Sequence, residues 1–218
     1  MSTPNLFPAL YNNIRQFEET GINEINEERK LQLKKLSDYI INSKHSHRKV
    51  QLLFICTHNS RRSHIAQIWA HTYARYFRIS EVLAYSGGTE VTAVHPNAIA
   101  ALQRFGFQIE AEPGYKSNPR HRVSYGNPED ELVCYSKLYN EPPNPEGFYA
   151  AVMVCSDADE HCPVIPGVEQ RIPITYEDPK NYDGTDKEEQ MYDQTCRLIG
   201  QELFHCFRNA AQKVAENA

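Results

Sequence analysis

The stretch QLLFICTHNSRRSHIAQIWA, residues 51–70, limits the fold more than any other part of the chain. Leu52 to Ile55 are apolar, Cys56 follows, and residues 57–64 are polar before an apolar period resumes at Ile65. A short apolar run bounded by a polar turn reads as a buried strand, and the period after it reads as a helix. Cys56 therefore stands at the carboxyl end of a strand, and Arg62 and Ser63 open the helix. Ligands of open α/β sheets bind at that edge. A loop between strand and helix aims backbone N–H groups at one point, and the helix N-terminus adds partial positive charge, so the site suits a tetrahedral oxyanion. Arg62, six residues past the cysteine, offers a planar two-pronged donor for such an anion. The same field favours the thiolate, the form of cysteine that attacks. The candidate oxyanion-binding residues are thus Thr57, His58, Asn59, Ser60, Arg61, Arg62 and Ser63, with Cys56 as nucleophile. The plain alternative is a buried strand cysteine beside a solvated basic face. It is outweighed by the full spacing Cys-x5-Arg-Ser at a strand-to-helix junction.

The rest of the chain agrees with an α/β architecture. Phe7, Leu10, Tyr11, Ile14 and Phe17 are helically spaced, Gly21 interrupts, and Ile25, Leu33, Leu36 and Ile40 resume the pattern. These predict an N-terminal helical extension over residues 1–48, ending at the polar NSKHSHRK and packed on the domain after it. From residue 50 the pattern alternates: a strand at about 50–55, a helix from about 63, a short strand near VLAYS, and a helix from Pro96 through NAIAALQRF. Such alternation implies a parallel sheet with helices on its faces. Residues 112–147 break the pattern with many prolines and the short runs RVSY and ELVCYSKLY, which read as a hairpin-like insertion. FYAAVMVC is the kind of strand buried on both faces. A short strand near RIPI and the loop TYEDPKNYDG follow, and Thr185 with Glu188 forms a capping box for a long final helix. One core plus an appendage fits 218 residues that are 40% hydrophobic.

The net charge of −5 is spread along the chain, which argues against a nucleic-acid groove or a membrane-binding face. No run approaches the roughly 18 apolar residues of a membrane span, so a soluble, cytoplasmic protein is expected. Six cysteines are too few for a disulfide scaffold and are weighed one by one. Cys196 and Cys206 fall on one stripe of the last helix with Tyr192, Ile199, Leu203 and Ala210, and are core candidates. Trp69 is a core candidate on the helix after Cys56. Cys134 lies in the insertion without an assignment. Cys155 and Cys162, in VCSDADEHCP, flank six residues just after the buried strand. They read as a redox pair, as unrelated packing, or with His161 as part of a metal site. Zinc wants four ligands and C-x5-H-C gives three, so no metal is expected.

CTHNSRRS resembles the phosphate-binding loop of low-molecular-weight protein tyrosine phosphatases and of the thioredoxin-coupled arsenate reductases that share their fold. SGGTE followed by HPNAIAALQRFGF is similar to the second strand and helix of those families, and EDP at 177–179 resembles their acid loop. The resemblance runs from about residue 50 to about 212, without the insertion. It implies a three-layer α/β/α fold with a mostly four-stranded parallel sheet and a catalytic domain over 49–218. It also implies Asp178 as general acid, and Asn59 and Ser63 as residues that tie the loop and donate to Cys56. Thr57 and Ser60 supply at least backbone donors. Two positions depart from the pattern: His58 stands where glycine is usual, raising the question of a positive φ, and Arg61 stands where a second cysteine is common. Arg61 is expected to point to solvent or to gather anions at the mouth.

Between the two families the cysteine pair decides. Phosphoryl transfer needs a nucleophile, an oxyanion cradle and an acid, whereas reducing arsenate needs two electrons, which thiols supply by ending as a disulfide. The resemblance implies a relay in which Cys56 attacks arsenic, Cys155 attacks Cys56 and Cys162 attacks Cys155, with thioredoxin as external reductant and no bound cofactor. The segment SDADEH, small and polar, is expected to loosen for this. The acid loop carries Lys180 and Asn181 where phosphatases often place adjacent tyrosines, with only Tyr182 nearby, which weakens the phosphotyrosine reading. Three functions stay open: arsenate reduction, aryl phosphate hydrolysis through a phosphocysteine, and non-enzymatic oxyanion binding.

Overall fold

Strands and helices alternate along the middle of the chain, and the strands pair side by side and parallel. The computed structural model describes residues 5–20, 25–127, 130–161 and 165–216, leaving aside the side chains of Thr20 and His161. In chain order these form α1 (Pro8–Thr20), α2 (Glu27–His45), β1 (Val50–Cys56), α3 (Arg62–Tyr76), β2 (Val82–Gly88), α4 (Pro96–Arg104), β3 (Gln108–Ala111), β4 (His121–Ser124), β5 (Leu132–Cys134), β6 (Tyr149–Met153), α5 (Ser156–His161), β7 (Val168–Pro173), a one-turn 3-10 helix (Pro179–Tyr182) and α6 (Glu188–Glu216). The main sheet has the order β2-β1-β6-β7, all parallel, with helices on both sides. β1 and β6 are central and almost wholly buried, which is why both read as continuous apolar runs. In register, Cys56 lies opposite Gly88 of β2, and Ile55 opposite Met153 of β6. The carboxyl ends of three strands therefore meet around Cys56.

α1 and α2 do not stand apart. Leu10, Ile14, Phe17, Leu33, Leu36 and Ile40 are buried in the same cluster as β1 and α6. Arg29 of α2 pairs with the buried Glu202 of α6 at 2.8 Å, and Ser37 Oγ donates to the Cys206 carbonyl. Trp69 is fully buried, and its indole N–H donates to the Cys196 carbonyl. The predicted stripe of α6, including Cys196 and Cys206, is buried throughout. Among the described residues no helix is long and apolar enough to cross a membrane.

Three local expectations are corrected. The insertion is a three-stranded antiparallel sheet, β3-β4-β5, that begins at Gln108 rather than 112. β3 escapes sequence reading because only Ile109 of its four residues is buried, too short a period to register. SDADEH is a short helix, α5, with Ala158 buried and Asp159 paired to Arg171 at 2.8 Å, not a loop without an anchor. Acidic side chains in its first turn suit the helix dipole. The capping box at Thr185 is displaced: Glu188 accepts from the Gly184 N–H at 2.5 Å, and Thr185 Oγ1 accepts from the Lys187 N–H at 3.2 Å. α6 starts only at Glu188.

Candidate functional site

The loop after β1 is held from every side. Asn59 is its centre, with a positive φ of 44°. The left-handed turn thus falls on Asn59 and not on His58, and asparagine is among the non-glycine residues that tolerate it best. Asn59 Oδ1 accepts the Lys137 N–H at 2.9 Å, which turns Nδ2 toward Ser63 Oγ, also at 2.9 Å. Ser63 Oγ accepts that bond, so its own proton is free for Cys56 Sγ, 3.1 Å away. The Asn59 carbonyl faces His64 Nε2 at 2.9 Å, and a carbonyl can only accept, so Nε2 carries the proton. His64 Nδ1 then accepts from Ser86 Oγ at 3.2 Å. Burial, helped by Lys137, pushes the His64 imidazole down to about 3, which keeps it in this neutral form.

β2 ends against the same loop. Glu90 and Thr89 donate their N–H groups to the carbonyls of Thr57 and Cys56 at 2.8 and 3.3 Å, and Thr89 Oγ1 adds a bond to Thr57 O. A Cβ at Gly88 would meet Asn59 N and Thr57 O at 2.7 Å, so only glycine admits this approach. His58 O accepts from Thr92 Oγ1 and Ser136 Oγ, and Ser60 bonds Ala93 and His95. His58 itself is partly exposed, its Nε2 3.3 Å from Glu90.

The acid loop closes the other side. Arg62 Nη1 donates to the Tyr176 carbonyl at 2.8 Å and Nη2 to Asp178 Oδ2 at 2.5 Å. Asp178 Oδ1 caps the 3-10 helix by accepting the Lys180 N–H. Arg61 corrects one half of the expectation made for it: its guanidinium does not point to solvent. Nε donates to Tyr192 Oη at 2.7 Å and Nη2 to Asp183 Oδ2 at 3.1 Å, leaving the side chain 11% exposed. Beside it lies a cleft of about 390 Å³, lined by His58, Ser60, Arg61, Thr92, His95 and Lys180 among others.

Cys155 follows β6 and is fully buried. Its sulfur accepts the Ala158 N–H at 3.3 Å and lies 3.5 Å from Thr57 Oγ1, one residue past Cys56. Cys162 lies outside the described residues. Cys134, left open by the sequence, is buried in β5 with its thiol 3.9 Å from Gln67 Oε1, and burial pushes it up to about 12. It is too far from ionising to serve as a nucleophile.

Sequence reasoning missed His64, Ser86, Ser136, Lys137, Asp183 and the polar role of Tyr192. His64 alone had a signal, a polar residue at the start of an apolar period; Lys137 acts on the loop through its backbone N–H, which no side-chain pattern reveals. No protein-family model matches the chain. It is 31% identical over 131 residues to arsenate reductase 2 of Staphylococcus saprophyticus, spanning 60% of this chain and 79% of that protein. It is 28% identical over 140 residues to an arsenate reductase of Halalkalibacterium halodurans, spanning 64% of this chain and 81% of the relative. A solved low-molecular-weight phosphotyrosine phosphatase from Vibrio cholerae O395 superposes with a TM-score of 0.48 at 16% identity, over 75% of this chain and 97% of that one.

Proposed function

The chain belongs to the arsenate reductase family, and from that membership we propose that it reduces arsenate to arsenite through Cys56, Cys155 and Cys162. The observation that carries this reading is the second thiol beside the oxyanion loop, Cys155 Sγ at 3.5 Å from the hydroxyl of Thr57. A phosphatase of this design needs no sulfur there.

Arsenate enters the loop between the N–H groups of residues 57–62 and the Arg62 fork. The Cys56 thiolate, accepting the Ser63 proton, attacks arsenic, and Asp178 protonates the departing oxygen, which leaves as water. Cys155 then attacks the Cys56 sulfur. The sulfur–arsenic bond breaks with its electron pair passing to arsenic, which leaves as arsenite, and Cys56 and Cys155 are joined as a disulfide. Cys162 attacks Cys155 and frees Cys56, and an external dithiol, thioredoxin, supplies the two electrons that reopen the Cys155–Cys162 bond. Each attack needs a thiolate in line with a sulfur–sulfur or sulfur–arsenic bond, so residues 155–162 must shift between steps.

The second reading is aryl phosphate hydrolysis, which needs Cys56, Arg62 and Asp178 alone. The test separates the two reactions: NADPH oxidation with arsenate, thioredoxin and thioredoxin reductase, against p-nitrophenyl phosphate hydrolysis, for the unmodified protein and Cys155→Ser. The expected result is loss of arsenate turnover in the variant with aryl phosphate hydrolysis kept within about twofold. No arsenate turnover by the unmodified protein overturns the reading.

A further inference from the structure

Two adjacent arginines reach the acid loop, each at a different aspartate. Arg62 grips it at Tyr176 and Asp178. Arg61 grips it five residues later, at Asp183, both of whose carboxylate oxygens are engaged: Oδ2 by Arg61 at 3.1 Å, and Oδ1 by the Tyr192 hydroxyl at 2.8 Å. Tyr192 in turn accepts from Arg61 Nε at 2.7 Å and stacks on His95, whose Nε2 is 3.8 Å from Asp183 Oδ2. The triangle Arg61–Asp183–Tyr192 is thus closed on itself.

We propose that Arg61 is a positioning residue, a latch that keeps the acid loop docked once the oxyanion has taken Arg62 away from Asp178. The inference rests on the function proposed above. The Nη2 donor that holds Asp178 at 2.5 Å belongs to the same fork that must present two N–H groups to the anion. Asp178 must also give up that pairing to hold a proton over the leaving oxygen. At the moment of reaction the Arg62 tether is therefore released, and with it the direct hold on Asp178. Arg61 has its Nε and Nη2 donors engaged by Tyr192 and Asp183 rather than by Asp178, so its pair with Asp183 need not be given up when the anion takes Arg62. The grip is transmitted because Asp178 and Asp183 bound a single rigid turn: Asp178 accepts from Lys180, the Asn181 N–H donates to Asp178 O at 3.2 Å, and the Asp183 N–H donates to Lys180 O at 3.0 Å. Fixing one end of this turn fixes the other.

The signature of a latch is a dependence on the anion. Hydrogen exchange of the Asn181 and Asp183 amides is followed with and without saturating inorganic phosphate, for the unmodified protein, Arg61→Ala and Arg61→Lys. Without phosphate all three are expected to exchange alike, because Arg62 still holds the loop. With phosphate, exchange in Arg61→Ala is expected to rise at least about tenfold, with the lysine variant between the two. Equal protection of all three in phosphate overturns the latch, and so does loss of protection without phosphate, which makes Arg61 merely structural. Kinetics give a second arm: kcat for arsenate is expected to fall about tenfold in Arg61→Ala while the inhibition constant of phosphate stays within about twofold. A raised inhibition constant with unchanged kcat overturns the proposal by putting Arg61 on the anion. Failure of the unmodified protein to turn over arsenate overturns the function instead, and leaves the exchange comparison to decide the latch.

Discussion

The two stretches of this site that carry cysteine are built in opposite ways. In the loop from Cys56 to Ser63, Asn59 alone makes three hydrogen bonds through its side chain and carbonyl, and the carbonyls of Thr57 and His58 each accept two more. In the stretch from Cys155 to Glu160, Ala158 is the one buried residue after the cysteine, and the segment leans on the Asp159–Arg171 pair and the bond from Ala158 to the Cys155 sulfur. The contrast follows from the chemistry proposed. Donors that meet an anion work best when they need not reorganise, so the cradle is fixed before the anion arrives. A thiol that must meet first one sulfur and then another has to travel, and a segment with few buried contacts opens at low cost.

The contrast breaks most visibly at Asn59. Asn59→Ala removes the donor to Ser63, strands the buried Lys137 N–H, and puts a Cβ-bearing residue without a polar tip at positive φ. Arsenate turnover is expected to fall about 10² to 10³-fold, and stability by about 2–4 kcal/mol in urea unfolding. A loss under about tenfold, with stability within about 1 kcal/mol, defeats the idea that the cradle is preset.

A smaller effect comes from pH. Burial pushes His64 down to about 3 and His71 to about 4, with Lys137 and Arg75 respectively adding to it. Between those values and about 6.5 the unfolded chain binds up to two protons that the folded chain refuses. Stability conferred by these histidines is therefore complete above pH 6.5 and is lost as pH falls, by up to roughly 3 kcal/mol per unit near pH 5. His64→Gln, which keeps a donor for the Asn59 carbonyl, is expected to remove about half of that slope in urea midpoints taken from pH 7 to 4.5. An unchanged slope means that His64 titrates normally and that the cradle tolerates an imidazolium.

Cys56 and Arg62 were legible because the spacing Cys-x5-Arg at a strand end shows in a local pattern, whereas Asp178, 116 residues from Arg62, was reached only through the resemblance of EDP to an acid loop. The parallel sheet was legible because β1 and β6 are buried on both faces. The left-handed turn was sought at His58 because glycine is usual there, yet the backbone reverses one residue later. Arg61 and Arg62 are the same residue type side by side, and only the rotation of the first helical turn sends one to Asp178 and the other to Asp183. Their partners lie more than 110 residues away, beyond any local pattern. α5 is six residues long, shorter than two helical turns, so no period could declare it. The hold of the insertion on the loop runs through Ser136 Oγ and the Lys137 N–H, groups that leave no trace in composition.

The finest test of the contrast is at Arg171, where the smallest effect is expected. Its guanidinium meets both the carboxylate and the carbonyl of Asp159, tying α5 to β7. Both side chains are partly exposed, at 25% and 32%, so solvent screens the pair, and Arg171→Ala is expected to cost under about 1 kcal/mol of global stability. Exchange of the amides between Asp157 and Glu160 is expected to quicken at least about tenfold, because a six-residue helix has little else to hold it. Arsenate turnover measured with thioredoxin is expected to stay within about twofold or to rise. That pattern, local loosening without loss of turnover, is what a segment selected to move should give. If turnover instead collapses as it does for Asn59→Ala, the geometry of α5 is as much a part of the preset site as the oxyanion loop, and the two stretches differ only in how many bonds it takes to fix them.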